Sequence, residues 1–195
     1  DVFYEEGGAF TGAVSASQLS SVGVKYVIVG HSERRKRGDT DEVVAKKMRA
    51  AMHAGITPIL CVGETRIEHD AGKAEEVVKR QLETAFSLLT TISSASPSPA
   101  HQGGRGPILA YEPVWAISTE PGATPDTPEN AVRMIQFIKK ATSDPPIGRA
   151  GKRSFDSAQG RQAISFIYGG SINEHNVESF LKEKEIEGAL VGGAS

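Results

Sequence analysis

The sequence has little cysteine and no long apolar run, and both shortages narrow the class of protein. Cys61 is the only cysteine among the 195 residues, so no disulfide can form within the chain, which is typical of a reducing compartment. No stretch reaches the roughly 18 apolar residues that span a bilayer. The start, DVFYEEGG, lacks the basic end and apolar stretch of a signal peptide. We therefore expect a cytoplasmic protein with no membrane partner.

An excess of charge of either sign is also missing. The formal net charge is −2, with 38% hydrophobic and 24% charged residues, a composition typical of a soluble globular domain. Such a balance gives no electrostatic reason to expect nucleic acid or an anionic membrane as a partner. Attraction for an anionic ligand would have to come from a local site.

Apolar, β-branched runs alternate with segments of helical periodicity. The predicted strands cover 24–30, 56–63, 107–113, 163–170 and 186–193, and the predicted helices lie at about 41–55, 73–89, 128–142 and 173–185. The strand runs are almost continuously apolar, which predicts a parallel sheet buried on both faces. This repetition fits either a (β/α)8 barrel or a doubly wound sheet. Two segments rich in Ser, Pro, Gly and Arg, at about 91–106 and 144–161, predict surface insertions.

Polar residues and glycine pairs follow the predicted strands. His31 and Glu33 come after the first strand, Glu112 ends the third, and the motifs YGGS and VGGAS follow the last two. A lone histidine there is more often a turn or capping residue, and a glycine pair alone is usually a tight turn. An ionised carboxylate at the end of an apolar strand is costly to bury without a partner. Because the carboxyl ends of parallel strands share one edge, the combination predicts a pocket with backbone N–H groups suited to phosphate.

Six segments together resemble one known family. GGAFTG, VIVGHSERR, CVGET, AYEPVWAI, YGGSI and LVGGAS are similar to the signature segments of triosephosphate isomerase, in the family's order from Gly7 to Ser195. The resemblance implies an α/β fold, a (β/α)8 TIM barrel that is incomplete in this sequence, with residues 1–195 forming one partial domain.

The resemblance also implies a mechanism that is known for the family. Glu112 would move a proton between neighbouring carbons of the substrate, and His31, as a neutral imidazole, would polarise the carbonyl and support the enediolate. Glu33 resembles the carboxylate that braces the active-site lysine. No metal and no organic cofactor are expected.

Two further groups of residues are carried over by the same resemblance. Backbone contacts to the substrate phosphate are expected from Ser118, Gly170, Ser171, Gly192 and Gly193. The segment after Glu112 resembles a lid that excludes water, with Tyr168 and Ser171 resembling its latch. The first residues of this lid-like segment are Pro113, Val114, Trp115, Ala116 and Ile117.

The lid differs from the family pattern at its tip. It reads AISTEP where the family has AIGTGK. Ser118 replaces a glycine, and its N–H can still donate unless the position needs a positive φ. Glu120 would bring a negative charge towards an anionic substrate, and Pro121 would stiffen the far end.

Two other departures concern the ends and the subunit interface. The family's catalytic Asn-x-Lys segment is absent from this sequence. We therefore expect the sequence to be one portion of a longer chain, a portion without the family's strands 1–3 and last helix. We expect this portion to be inactive alone. A homodimer is expected, with Thr11 of the GGAFTG loop docking near the neighbouring subunit's site. Ala13 replaces a glutamate whose contact, to Arg34, would be lost.

The leading prediction from the sequence is a glycolytic and gluconeogenic isomerase that interconverts dihydroxyacetone phosphate and glyceraldehyde 3-phosphate. One alternative is an isomerase of a four-carbon ketose phosphate, because the altered lid tip could enclose a longer substrate. The alternative of another class is a catalytically silent binding or interaction protein that kept the fold.

Overall fold

The computed structural model describes residues 1–89, 106–143 and 164–192. The predicted insertions at about 91–106 and 144–161 lie outside the described residues, apart from Gly106. Gly193, predicted to bind phosphate, also lies outside them.

Strands and helices alternate along the described chain. The strands are β1 (Tyr26–Val29), β2 (Thr57–Val62), β3 (Ile108–Tyr111) and β4 (Ser165–Tyr168). The helices are α1 (Ala16–Ser21), α2 (Ser32–Lys36), α3 (Asp41–His53), α4 (Arg66–Asp70), α5 (Ala74–Ser87), α6 (Pro128–Ser143) and α7 (Val177–Leu181), and a 3-10 turn covers Val114–Ala116.

Local capping explains where α3 and α6 begin. The Thr40 side chain accepts a hydrogen bond from the N–H of Val43 at the start of α3, and Thr127 accepts one from the N–H of Asn130 before α6. Such side chains satisfy N–H groups that have no partner within the helix. Pro128 occupies the first helical position, where its missing N–H costs nothing. The predicted starts of α3, α5 and α6 are confirmed, whereas α7 begins at Val177 and not at the predicted residue 173.

Strand order decides between the two architectures that the sequence left open. The sheet runs β1-β2-β3-β4 and all three pairings are parallel. Doubly wound sheets reverse their order at a switch point, whereas a barrel adds each strand beside the previous one. The sequential order is that of a (β/α)8 barrel, and the described residues hold four of its eight strands.

The strand register separates the two faces of the sheet. Val29, Leu60, Leu109 and Phe166 are neighbours across the four strands, and all are buried beneath α3, α5 and α6. The adjacent row on the other face, Ile28, Ile59, Ile108 and Ser165, is only half-buried. The prediction of burial on both faces is therefore met on the helix-covered face and only in part on the other, where Cys61 and Ala110 are buried but the row through Ile59 is not. The other face lines the interior of a barrel, which is filled by side chains from all eight strands.

The last predicted strand and helix are shorter than the sequence suggests. Within the described part of 186–193, Ala189 alone forms a parallel bridge, to Tyr168, and the N–H of Leu190 donates to the Tyr168 carbonyl at 2.8 Å. Gly188 offers no side chain to pack and weakens the strand. The predicted helix at 173–185 is reduced to α7, and residues 174–176 form a turn in which the N–H groups of His175 and Asn176 donate to the Asn173 side chain.

One buried side chain on α5 joins that helix to the edge of the sheet that carries the polar residues. The amide of Gln81 accepts from the N–H of Gly63 at 2.9 Å and donates to its carbonyl at 3.0 Å. Gln81 is 5% exposed. Both backbone groups of Gly63, directly after β2, therefore depend on this one side chain.

We expect Gln81→Leu to lower the free energy of unfolding by about 2–4 kcal/mol, because two buried backbone groups lose their partner at about 1–3 kcal/mol each. Urea unfolding followed by circular dichroism measures the change. Gln136→Leu is the matched control, since Gln136 is exposed and bonds only the side chain of Glu185 among described residues. Equal effects of the two substitutions would contradict this role of Gln81.

Candidate active site

Parallel pairing places the residues that follow the strands at one edge of the sheet. His31 follows β1, Glu64 follows β2, Glu112 follows β3 directly, and Gly170 follows β4. The N–H of Glu112 donates to the carbonyl of Val62 at 2.8 Å, which extends the ladder by one residue. The backbone of Glu112 is therefore fixed by the sheet.

The carboxylate of Glu112 is buried and fully engaged. The N–H of Ser32 donates to Oε2 at 3.0 Å, and the Ser32 hydroxyl donates to Oε1 at 3.2 Å. His31 Nε2 lies 3.0 Å from Oε1, and Glu112 is 2% exposed. Hydrogen bonds to a buried carboxylate offset the loss of its hydration. The sequence prediction paired Glu112 with His31 but missed Ser32, whose only signal is its position after the histidine.

His31 combines the capping role and the site role. It is the N-cap of α2, and its Nδ1 accepts from the N–H of Glu33 at 3.3 Å. An accepting Nδ1 carries no proton, so Nε2 bears the proton that faces Glu112. The hydrogen bond to Glu112 raises the pKa of His31, partial burial lowers it, and the Glu33 carboxylate adds to the rise. The contact at Nδ1 favours the neutral ring, while the contact with Glu112 favours the protonated one.

Gly63 makes room for Glu112. A Cβ at Gly63 would lie 2.0 Å from the carbonyl oxygen of Glu112 and 2.6 Å from its carbonyl carbon. Any side chain at this position would push β2 and β3 apart where the acid is presented. The glycine of CVGET is therefore required by close packing of the backbone.

Glu64 is a second buried acid at this edge, and the sequence prediction gave it no role. It is 0% exposed and accepts hydrogen bonds from the Tyr111 hydroxyl at 3.0 Å and the indole N–H of Trp115 at 2.6 Å. His69 Nδ1 lies 3.5 Å from the carboxylate. The signal that singled out Glu112, an acid ending an apolar strand, also applies to Glu64 in CVGET.

The segment after Glu112 is packed at its start and exposed at its tip. Pro113, Trp115 and Ala116 are buried, whereas Val114 and Ile117 are half-buried. The N–H of Val114 donates to the carbonyl of Glu64 at 3.0 Å. The residues predicted to form the first part of a lid are thus attached to the end of β2.

The tip of this segment carries the substitutions noted in the sequence. Ser118 is exposed, and no non-glycine residue of the described chain has a positive φ, so serine fits that position without strain. The Glu120 carboxylate pairs with the ammonium of Lys36, at the end of α2. Glu120 is therefore neutralised, whereas the sequence predicted a free charge.

Tyr168 and Gly170, two residues later, pack closely against each other. A Cβ at Gly170 would lie 2.0 Å from the Tyr168 hydroxyl. That hydroxyl donates to Asp126 Oδ2 at 3.1 Å, and burial raises the pKa of Asp126. The predicted latch residue thus contacts the chain between the lid and α6, and residues 113–117 contact Glu64 and α4 instead.

The remaining predicted residues lie apart from the two acids. Glu33 is exposed, and no described side chain donates a hydrogen bond to its carboxylate. The Ser171 carbonyl accepts from the Asn176 amide at 2.8 Å, and Gly192 is exposed near the end of the described chain.

The two predicted interface residues differ in their surroundings. Thr11 is exposed. Arg34 contacts Asp1 at 3.0 Å and Asp39 at 3.3 Å within the chain. Ala13, in the same loop as Thr11, is exposed as well.

The described residues contain neither a cluster of metal-ligating side chains nor a helix that could cross a membrane. No group of three or more histidine, cysteine, aspartate or glutamate side chains there could hold a metal ion. No helix in the described part of the chain has both the length and the apolar character needed to cross a bilayer.

Comparisons with known proteins agree with this geometry. The family model described as triosephosphate isomerase matches residues 1–195. The triosephosphate isomerase of Paracidovorax citrulli (strain AAC00-1) is 42% identical over 196 residues, and that of Roseiflexus castenholzii (strain DSM 13941 / HLO8) is 44% identical over 196 residues. The enzyme of Delftia acidovorans (strain DSM 14801 / SPH-1) is 42% identical over 199 residues. Each match covers 100% of this chain and 68% of the relative.

The order of the strands, the acid and histidine at their carboxyl ends and the match over the whole chain lead to the same conclusion. This chain belongs to the triosephosphate isomerase family.

Proposed function

We propose that the protein is an isomerase that interconverts dihydroxyacetone phosphate and glyceraldehyde 3-phosphate. The observation that carries the proposal is the contact between the buried Glu112 carboxylate and His31 Nε2, 3.0 Å apart. Moving a proton between two carbons needs one base in a dry site and one donor at the carbonyl oxygen. Family membership supports the same reaction.

In this mechanism Glu112 takes a proton from the carbon beside the substrate carbonyl, while His31 Nε2 donates to the carbonyl oxygen. An enediolate forms, and the proton of the neighbouring hydroxyl group passes to the former carbonyl oxygen. Glu112 then returns its proton to the former carbonyl carbon, so that the former hydroxyl carbon becomes the new carbonyl. In the structure both carboxylate oxygens are engaged by Ser32 and His31, so Glu112 must turn away from Ser32 to reach the substrate. The neutral imidazole is proposed for that state, because the hydrogen bond that raises the pKa of His31 is then broken.

Other family roles are proposed for the remaining predicted residues. The exposed carboxylate of Glu33 would hold the family's lysine. Backbone groups of Ser118, Gly170, Ser171, Gly192 and Gly193 would hold the phosphate, and residues 113–121 would form the lid. Oriented N–H groups and exclusion of water both favour a developing negative charge.

We also propose a cytoplasmic homodimer that acts in glycolysis and gluconeogenesis. The loop around Thr11 exposes two large apolar side chains, Phe10 at 45% and Val14 at 47%. Large apolar side chains exposed on one loop suit a contact between subunits. A single buried thiol, Cys61, suits a reducing compartment.

The first test of the proposed reaction is a comparison of substrates with the full-length protein. We expect kcat/KM for the three-carbon substrate to exceed that for a four-carbon ketose phosphate by at least about tenfold, equivalent to about 1.4 kcal/mol of transition-state binding. Coupled spectrophotometric assays measure both constants. A preference for the four-carbon substrate by the same factor, or activity on neither, would contradict the proposal.

The role of Glu112 is tested by shortening its side chain. Glu112→Asp should lower kcat by about a hundredfold or more and change KM little, because a base displaced by about 1 Å no longer reaches the substrate carbon. Steady-state kinetics give both constants. Glu75→Asp is the matched control, since Glu75 is an exposed glutamate on α5 that pairs with Arg133. A near-normal rate in Glu112→Asp would exclude this carboxylate as the base.

The contact between Glu112 and His31 predicts that the pKa of His31 depends on the charge of Glu112. In the ligand-free protein the pKa of His31 lies above its ordinary value because Glu112 accepts its hydrogen bond. Glu112→Gln removes the negative charge, so the pKa of His31 should fall and the ring should lose its proton at a lower pH. NMR titration of the ring protons measures this shift. Glu75→Gln should leave the His31 titration unchanged, and an unchanged titration in Glu112→Gln would disprove the coupling.

A further inference from the structure

Arg66, the first residue of α4, contacts both ends of the lid segment. Its Nη2 lies 3.1 Å from the Trp115 carbonyl, 3.2 Å from the Gly122 carbonyl and 2.8 Å from the Thr124 hydroxyl. Trp115 stands at the beginning of the segment, and Gly122 and Thr124 stand at its end. One guanidinium nitrogen therefore joins two positions that are seven residues or more apart along the chain.

Backbone hydrogen bonds show that this point is the base of a closed loop. The N–H of Thr124 donates to the carbonyl of Trp115 at 3.2 Å, and the N–H of Glu120 donates to that of Ile117 at 2.8 Å. Residues 116–123 thus project as a compact loop. The Trp115 carbonyl accepts from both Thr124 and Arg66, so the cation reinforces the closure.

The indole of Trp115 anchors the same base to α4. The His69 ring stacks on it with centroids 4.1 Å apart, and the guanidinium carbon of Arg66 lies 5.4 Å from the indole ring centroid. Glu64 accepts the indole N–H at 2.6 Å. The tip is held from a different helix, through the pair of Lys36 and Glu120.

An ordinary surface ion pair does not account for this arrangement. Arg66 also faces Asp70, but the two charges are 3.8 Å apart and the Asp70 side chain is 61% exposed. Such pairs contribute little to stability. Their formation does not require Nη2 to be surrounded by three acceptors from the lid.

We propose that Arg66 is a positioning residue that closes the base of the lid and so presents it to the substrate as one ordered loop. Ordering a loop on binding costs conformational entropy, and a loop closed beforehand avoids part of that cost. Arg66 would therefore strengthen substrate binding without taking part in proton transfer. The inference rests on the proposed function, because it assigns the segment to a phosphorylated substrate.

The experiment compares Arg66→Met, which keeps the aliphatic stem over Trp115, with Arg66→Lys, which restores a cation with several donors on one atom. In the full-length protein, Arg66→Met should raise KM for dihydroxyacetone phosphate about five- to tenfold and leave kcat within about twofold. Hydrogen exchange of peptides covering 114–124 should become faster by about tenfold, and peptides elsewhere should not change. Arg66→Lys should recover at least half of both effects on a logarithmic scale. Arg80→Met is the matched control, since exposed Arg80 pairs with Asp41.

The outcomes separate this role from a merely structural one. A lower melting temperature with faster exchange throughout the chain and an unchanged KM would overturn the proposal, as would faster exchange of the lid without any change in KM. If the unmodified protein shows no isomerase activity, the proposed function fails. In that case faster exchange confined to 114–124 in Arg66→Met would still support Arg66 as the closure of this loop, and unchanged exchange would overturn it.

Discussion

The burial of the Glu112 carboxylate at the end of β3 is the constraint on which this site depends. An ionised acid loses several kcal/mol of hydration when it is buried, unless hydrogen bonds replace the water. Ser32 and His31 supply those bonds from the turn after β1, which is two strands away. Gly63 follows β2 between them, and a Cβ there would collide with the backbone carbonyl of Glu112, so the glycine allows the backbone of Glu112 to take its place. Sheet order, the glycine and the α2 cap are therefore parts of one arrangement.

The sequence predicted those parts whose signals are local or follow from strand direction. Apolar runs located the four strands, and helical spacing after a pair of acids located α3. Thr127 and Pro128 located α6, and the shared edge of a parallel sheet brought Glu112 and His31 together. The partners of buried groups depend on the three-dimensional packing and carry no such signal. Ser32 was missed for that reason, and Glu64 was missed although it ends its strand as Glu112 does. The last strand was overestimated because an apolar run does not tell how far pairing continues past a glycine.

In the lid segment, a residue that is distant in the sequence compensates the charge of Glu120. In the sequence, Glu120 was expected to weaken attraction for an anionic substrate. In the structure its charge is paired with Lys36, which is 84 positions away along the chain. The pair keeps the local field near neutral, and it ties the lid tip to α2, the helix capped by His31. The chain thus holds the tip from α2 and the base from α4.

The two buried acids differ in whether their hydrogen-bond donors can turn to another acceptor, and this difference agrees with the roles proposed for them. Glu64 is bonded by the Tyr111 hydroxyl and the Trp115 indole, which have no other described acceptor and lie within the core and at the lid's first residues. Its carboxylate therefore fixes the lid to the sheet. Glu112 is bonded by Ser32 and by His31, whose ring is partly exposed and can turn its proton to another oxygen. That freedom of the His31 ring suits the base role proposed for Glu112, whereas the buried N–H and hydroxyl of Ser32 have no other described acceptor.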